Sequence, residues 1–166
     1  SMPGALQARL CRLLGRAAGA QGMAGGQAID LASVGLQLSE AQLREMHRLK
    51  TGALLHASVL MGAACKEGVD AQAWQALSDY GQALGVAFQV VDDILDVVAD
   101  SATLGKTAGK DAANDKPTYV SLLGLDQARA HADELCALAH AALARSGLPD
   151  TRALAALADM VVSRTH

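Results

Sequence analysis

The stretch Phe88-Gln89-Val90-Val91-Asp92-Asp93-Ile94-Leu95-Asp96 places three carboxylates inside a run that is otherwise almost wholly apolar. On a helix, Asp92 and Asp96 lie one turn apart on the same face, Asp93 lies beside them, and Gln89 points the same way. Like charges at this spacing destabilise an exposed helix by roughly 0.2–0.5 kcal/mol per pair, and an uncompensated buried ion costs several kcal/mol. We therefore expect a cation close to these aspartates.

The three aspartates lie near the carboxyl end of a long predicted helix. Asp70 can cap a helix that begins at Ala71 and continues to Val98. Its apolar stripe repeats at helical spacing and contains Trp74, Leu77, Tyr80, Leu84, Phe88, Val91 and Leu95. The helix dipole disfavours negative charge at this end. This favours a functional role for the three aspartates over the alternative of a solvated acidic corner.

The first half of the chain is predicted to be helical as well. Apolar residues at spacings of three and four indicate a helix from Ala5 to about Val34, although five glycines lower its propensity and permit close approach of a neighbouring helix or a ligand. Ser39 with Gln42 has the signature of a capping box for the next helix. Lys50-Thr51-Gly52 interrupts that helix and predicts a kink that frees backbone carbonyls.

The second half continues with helices and one loop. Residues 100–117 read as a functional loop, because long irregular segments in compact helical domains commonly carry function. Pro117 is predicted to start a short helix toward Leu123, Asp126 or a neighbour to cap a helix that ends at Ser146-Gly147, and a last helix to run from Thr151 to Val162. His47, His56, His131 and His140 read as surface or satisfied core residues. No strand pattern occurs, so the chain is predicted to be all-α, one helical domain over residues 1–166.

Composition excludes several classes of function. The net charge of -3 argues against a basic surface that would bind nucleic acid or an anionic membrane. No apolar run reaches the roughly 18–20 residues of a membrane span and no signal-peptide pattern is present, so we expect no stable membrane insertion. Cys11, Cys65 and Cys136 lack metal-ligand spacing, which argues against disulfides and a zinc site and favours a reducing, cytoplasmic setting. Ser1-Met2 looks like an expression scar, and we expect the chain to be a piece of a longer protein.

Carboxylates without His or Cys favour a hard cation, and their presentation from one helix face fits Mg²⁺ shared with substrate phosphates. The loop that follows carries Lys106, Lys110 and Lys116, two of them directly after glycines, which indicates an anion contact although a solvated charged loop is the alternative. A diphosphate bridged by magnesium would satisfy both features. These residues predict phosphate binding or ionisation without identifying the substrate.

Four spaced motifs resemble the trans-isoprenyl diphosphate synthase family, in matching order. The segment from Phe88 to Asp96, residues 104–111 and residues 116–119 look like its second aspartate-rich motif and the loop after it. The segments from Gly22 to Leu31 and from Met46 to Leu54 are similar to the preceding motifs. The residues in these motifs are most similar to those of bacterial short-chain members of the farnesyl diphosphate synthase, or geranyltransferase, type.

The resemblance implies a helical bundle around a central cavity, a homodimer, and condensation of an allylic diphosphate (dimethylallyl or geranyl) with isopentenyl diphosphate to farnesyl diphosphate. Magnesium would be held by Asp92, with Asp93 and Asp96 supporting it directly or through water. Lys50 and Lys106 would bind the allylic diphosphate that leaves as the carbocation forms.

The remaining roles also follow from the resemblance. Thr51, Gln89 and the carbonyl of Lys50 would face the developing cation. Gln27 and Asp30 would belong to the polar network of the cavity, and Phe88 would pack near the homoallylic substrate. Lys110 and Lys116 would be further substrate-binding residues.

The sequence departs from the family pattern before Phe88. It has no earlier Asp-Asp-x-x-Asp motif with its arginine pair and no Gly-Lys-Arg element for isopentenyl diphosphate. We therefore expect the carboxyl-terminal half of a synthase, inactive alone. A longer-chain polyprenyl diphosphate synthase, a terpene cyclase and a non-catalytic helical interaction module stay open as alternatives.

Overall fold

The computed structural model describes residues 2–103 and 118–164, without the side chains of residues 99–103. Those ranges contain α-helices, one π-helical segment and no strand, which confirms the all-α prediction. The elements in chain order are α1 (Gly4–Ala18), α2 (Met23–Ala32), α3 (Glu40–His47), the π-helical segment (Arg48–Gly52), α4 (Ala53–Cys65), α5 (Ala71–Thr103), α6 (Tyr119–Leu123), α7 (Leu125–Arg145) and α8 (Arg152–Val162).

Helix α5 has 33 residues and so measures roughly 50 Å, and most of the other helices pack against it. Its first turn is capped as predicted, because the Asp70 carboxylate accepts a hydrogen bond from the Ala73 amide at 2.7 Å. Helices α4, α7 and α8 and the π-helical segment all pack against α5. The Tyr80 hydroxyl donates to the Leu154 carbonyl at 2.8 Å and ties α5 to α8. The buried residues of the predicted stripe are Leu77, Tyr80, Leu84 and Val91, with Trp74, Phe88 and Leu95 partly buried.

The prediction of one continuous helix from Ala5 to Val34 is wrong. The chain forms α1 and α2 with a turn over residues 19–22 between them, and α2 ends at Ala32. Glycine costs a helix interior about 1 kcal/mol relative to alanine, so two glycines within four residues favour a break there. The break lets α1 pack on α4 while α2 packs on the π-helical segment.

The predicted interruption at Lys50-Thr51-Gly52 is present as the π-helical segment, inside an otherwise continuous helical run from Glu40 to Cys65. The predicted capping box is present at its start, with Ser39 and Gln42 bonded reciprocally. The segment lies against α5, where a Cβ built on Gly85 would come within 2.8 Å of the Gly52 Cα. Only glycine at position 85 permits this approach, which brings the segment up to the middle of α5.

The carboxyl-terminal helices differ from the prediction at their starts. Thr118 caps α6 in a capping box with Ser121, and α7 begins at Leu125 after Gly124, so Asp126 lies in the first turn and is not the cap. Gly124 has a positive φ of 82° and no side chain, which suits the sharp connection between the two helices. None of the described helices is long and apolar enough to cross a membrane.

Candidate functional site

The π-helical segment presents Lys50 and Thr51 between α2 and α5. The Lys50 ammonium lies 2.7 Å from the Asp30 carboxylate of α2. The Asp30 side chain is 7% exposed and that of Lys50 34% exposed, so the carboxylate is buried while the ammonium still reaches the surface. A Cβ built on Gly26 would lie 2.2 Å from the Lys50 backbone nitrogen. Glycine at position 26 is therefore what allows α2 to place Asp30 beside Lys50.

Thr51 begins a hydrogen-bond chain that reaches the aspartates of α5. Its hydroxyl donates to Gln89 Oε1 at 2.9 Å, and Gln89 Nε2 donates to Asp93 Oδ1 at 2.9 Å. The Tyr119 amide, in the first turn of α6, donates to the other Asp93 oxygen at 2.8 Å. The chain joins the π-helical segment, α5 and α6 through three side chains and one backbone amide.

The burial of Asp93 shifts its pKa. Burial raises the pKa of Asp93 to about 6, the hydrogen bonds from Tyr119 and Gln89 lower it, and the carboxylates of Asp92 and Asp96 raise it. Desolvation outweighs the two hydrogen bonds because both donors are neutral. The cation expected beside these aspartates is not Lys50, since that ammonium contacts Asp30.

The three aspartates differ in exposure. Asp93 is buried, Asp92 is half-buried and Asp96 is exposed. Within the described ranges their oxygens do not form a compact three-ligand cluster. Magnesium does not need one, because it keeps several waters and is commonly bound through one or two carboxylates plus substrate phosphates. The hard oxygens of Asp92 and Asp96 fit such a cation, whereas both oxygens of Asp93 already accept hydrogen bonds.

The other predicted site residues are placed as follows. Gln27 is exposed on α2, one turn before Asp30. Phe88 is half-buried on α5, with the Arg164 guanidinium 4.0 Å from its ring centroid. Lys106, Lys110 and Lys116, with most of the predicted loop 100–117, lie outside the described residues.

Two residues of this region were missed as site residues by the sequence reasoning. His47, interpreted as a surface or satisfied core residue, is buried with its ring 5.4 Å from that of Tyr119, and Nδ1 has no hydrogen-bond partner in the described structure. Burial, then the Lys50 charge, lowers the pKa of His47 to about 4, while Asp30 opposes the shift. Tyr119 was noted only within a motif, and its backbone role has no sequence signal. His47 could have been found from its place directly before the π-helical segment.

The arrangement of helices is that of the all-α isoprenoid synthases. A crystal structure from Marinomonas sp. MED121 superposes with a TM-score of 0.83 at 37% identity, over 98% of this chain and 55% of that one. The geranyltransferase from Helicobacter pylori, complexed with magnesium and isoprenyl diphosphate, gives a TM-score of 0.77 at 31% identity, over 97% of this chain and 52% of that one.

Sequence comparison defines the family. The polyprenyl synthetase family model matches residues 5–146. The farnesyl diphosphate synthase of Escherichia coli is 47% identical over 154 residues, which cover 91% of this chain and 51% of that enzyme. The chain belongs to the polyprenyl synthetase family and spans about half the length of the curated relatives it matches.

Proposed function

We propose that the chain is the carboxyl-terminal part of a magnesium-dependent prenyltransferase of the farnesyl diphosphate synthase type. Its substrates would be isopentenyl diphosphate and an allylic diphosphate, dimethylallyl or geranyl. The observation that carries the proposal is the convergence of three separated motifs. The Asp30–Lys50 ion pair joins the first to the second, and the Thr51–Gln89 hydrogen bond joins the second to the third.

Asp92 and Asp96, whose oxygens are accessible, would hold the metal. Asp93 lies beside them on the buried side of α5 and would support the metal site from there. Bound magnesium would neutralise charge on the departing diphosphate. Lys50, with Lys106, would bind the same diphosphate, and its exposed fraction of 34% leaves its ammonium within reach of a ligand.

The hydroxyl of Thr51 and the amide oxygen of Gln89 would stabilise positive charge on the allylic carbon. Oriented dipoles act best when they need no rearrangement during the reaction, and the Thr51–Gln89–Asp93 chain fixes the Gln89 amide in one orientation. Asp30 would keep Lys50 in place, and Gln27 would belong with it to the polar network of the cavity. Phe88 would pack against the homoallylic substrate, and Lys110 and Lys116 would add diphosphate contacts.

We further propose that this chain alone does not catalyse condensation. It spans about half of its relatives, and no Asp-Asp-x-x-Asp motif precedes Phe88. The clamp on the diphosphate would then lack its first half. The intact enzyme would be a homodimer, and the three free cysteines of the described structure are in keeping with a reducing cytoplasm.

Isothermal titration calorimetry with magnesium and inorganic pyrophosphate tests the diphosphate site in the chain as it is. We expect binding that needs both components and that Asp92→Ala and Lys106→Ala each abolish. Asp126→Ala on the surface of α7 and Lys66→Ala after α4 are matched controls of equal charge change and should bind normally. Absence of heat in the unsubstituted chain would instead favour a non-catalytic helical interaction module.

A chimera tests catalysis. The part of the Escherichia coli farnesyl diphosphate synthase that precedes the matched region, joined to this chain, should convert labelled isopentenyl diphosphate and geranyl diphosphate to an extractable product. The chain alone should give none, and Asp92→Ala in the chimera should remove turnover while Asp126→Ala retains it. Turnover by the chain alone would contradict the proposed inactivity, and a product longer than farnesyl diphosphate would favour a longer-chain synthase.

A further inference from the structure

A second set of metal-ligating side chains lies on the carboxyl-terminal helices, away from the aspartates of α5. Cys136 and His140 are one turn apart on α7, and Asp159 reaches them from α8. Cys136 Sγ lies 3.7 Å from Asp159 Oδ1, and His140 Nε2 lies 2.6 Å from the same oxygen. The potential ligand atoms all lie within 4.8 Å of one another. This Cys-His-Asp cluster is the one such group of three in the described ranges.

We propose that Cys136, His140 and Asp159 bind a divalent cation of the zinc class. One thiolate, one imidazole and one carboxylate form a mixed set that suits a borderline-soft cation and differs from the all-oxygen set that magnesium prefers. Three protein ligands leave the fourth tetrahedral position to water. The groove over the cluster has a volume of about 520 Å³ and is bordered by Asp133, whose charge adds to the attraction for a cation.

The distances require only a small adjustment. Ligand–metal bonds of about 2.0–2.3 Å place the ligand atoms of a tetrahedral zinc site about 3.3–3.7 Å apart. The sulfur–oxygen distance of 3.7 Å already meets this spacing, whereas the nitrogen–oxygen distance of 2.6 Å is that of a hydrogen bond and must lengthen by about 0.7 Å or more. Asp159 is exposed, so its side chain can make that movement without disturbing the core.

Binding exchanges one set of partners for another. Without metal, Asp159 Oδ1 accepts hydrogen bonds from the Cys136 thiol and from the His140 ring when its Nε2 carries a proton. With metal, the thiol proton is released to solvent, Nε2 is unprotonated, and both groups donate electron pairs to the cation. No redox change takes place.

The sequence argued against a zinc site because the three cysteines have no ligand spacing among themselves. The signal was present in the spacing of four between Cys136 and His140, which places both on one helix face. The third ligand comes from the next helix, nineteen residues after His140 in the chain, and only the packing of α7 on α8 brings it there.

Cobalt(II) is the probe for this site, because thiolate coordination gives a near-ultraviolet charge-transfer band and tetrahedral geometry gives strong visible bands. We expect one equivalent of cobalt to produce both in the reduced chain, and zinc to abolish them by displacement. Cys136→Ser should remove the charge-transfer band. Asp159→Asn, at an exposed position that does not threaten folding, should weaken cobalt affinity about tenfold or more.

The controls separate this site from the rest of the chain. The double variant Cys11→Ser/Cys65→Ser, which removes the two exposed cysteines, and Asp92→Ala should keep the band unchanged. Circular dichroism on each variant verifies the helical fold. No band in the unsubstituted chain, a band that survives Cys136→Ser, or its loss in the double variant would each overturn the proposal. The result does not depend on pyrophosphate binding, so the two sites succeed or fail separately.

Discussion

Two aspartates of the candidate site are buried to the same extent and are stabilised differently. Asp30 on α2 is 6% exposed and lies 2.7 Å from the Lys50 ammonium, whereas Asp93 on α5 is 5% exposed and accepts its two hydrogen bonds from the neutral donors Gln89 and Tyr119. Neutral donors stabilise a carboxylate less than an ammonium does. The pKa of Asp93 is accordingly raised to about 6, first by burial, with Asp92 and Asp96 contributing.

The difference shows how the site divides its charges. Lys50, the one lysine of the site in the described residues, forms its ion pair with Asp30 of α2. Helix α5 therefore has a net excess of negative charge at Asp92, Asp93 and Asp96. That excess suits a divalent cation, because the carboxylates lack a protein cation at hydrogen-bond distance in the described structure. The same lysine affects His47, whose pKa is lowered to about 4 by burial and then by Lys50. Asp30, Asp93 and His47 are all buried, and substitutions can test the environment of each one separately.

The largest effect is expected from Gly26→Ala, which breaks the Asp30 side of the comparison. The new Cβ would lie 2.2 Å from the Lys50 nitrogen and 2.5 Å from its Cα, and backbone atoms cannot move aside as side chains can. Overpacking of this kind costs about 3 kcal/mol or more. We expect a corresponding loss of unfolding free energy in urea denaturation.

Gly15→Ala is the matched control for that experiment. Gly15 is exposed on α1 with nothing within 4 Å of a built Cβ, so alanine there should stabilise the chain by up to about 1 kcal/mol. Equal effects of the two substitutions would mean that α2 does not contact the π-helical segment as described.

The next effect concerns the pH dependence of stability, where Asp93 and His47 oppose each other. The folded pKa of Asp93 is raised from 3.8 to about 6, so the native state binds more protons and stability falls as pH rises through that range. The folded pKa of His47 is lowered from 6.5 to about 4, so its contribution rises with pH over nearly the same range. The two contributions, each about 3 kcal/mol, should largely cancel.

Single substitutions should reveal each contribution in urea denaturation at pH values between about 4 and 6.5. Asp93→Asn should make stability rise with pH, and His47→Phe, which keeps a ring against Tyr119, should make it fall. The asparagine is tolerated if the Gln89 amide turns over, because the Thr51 hydroxyl can then accept a hydrogen bond. Identical pH profiles for both variants would show that these groups are not buried as described.

Much of this fold could be predicted from the sequence, because the signals are local. The Ser39–Gln42 capping box, the Asp70 cap and the apolar stripe of α5 depend on residues a few positions apart, and the structure contains all three. The break between α1 and α2 was missed because glycine propensity does not say whether packing will compensate. Tertiary contacts decide that.

The site was predicted less completely. The sequence singles out Lys50, Thr51, Gln89 and Asp93, and their roles stay predictions. It does not predict the Lys50–Asp30 ion pair, since Asp30 lies twenty residues away and on another helix. The backbone hydrogen bond from Tyr119 to Asp93 leaves no trace in side-chain patterns. Residues 104–117 lie outside the described structure, so the predicted roles of Lys106, Lys110 and Lys116 stay predictions.

The smallest effect is expected from Thr51→Val, which sharpens the Asp93 side. Valine keeps the shape of threonine and removes the hydroxyl that donates to Gln89 Oε1 at 2.9 Å, so a partly buried amide oxygen loses a hydrogen bond at a cost of about 1 kcal/mol. Gln89 would also lose the contact that directs its Nε2 toward Asp93. Because that hydrogen bond lowers the pKa of Asp93, its weakening should raise the pKa further and make the fall of stability with pH steeper in the His47→Phe background. Thr51→Ser retains a hydroxyl and should leave the slope unchanged. If valine and serine act alike, the hydroxyl does not orient Gln89, and the donors to Asp93 are set by α5 and α6 alone.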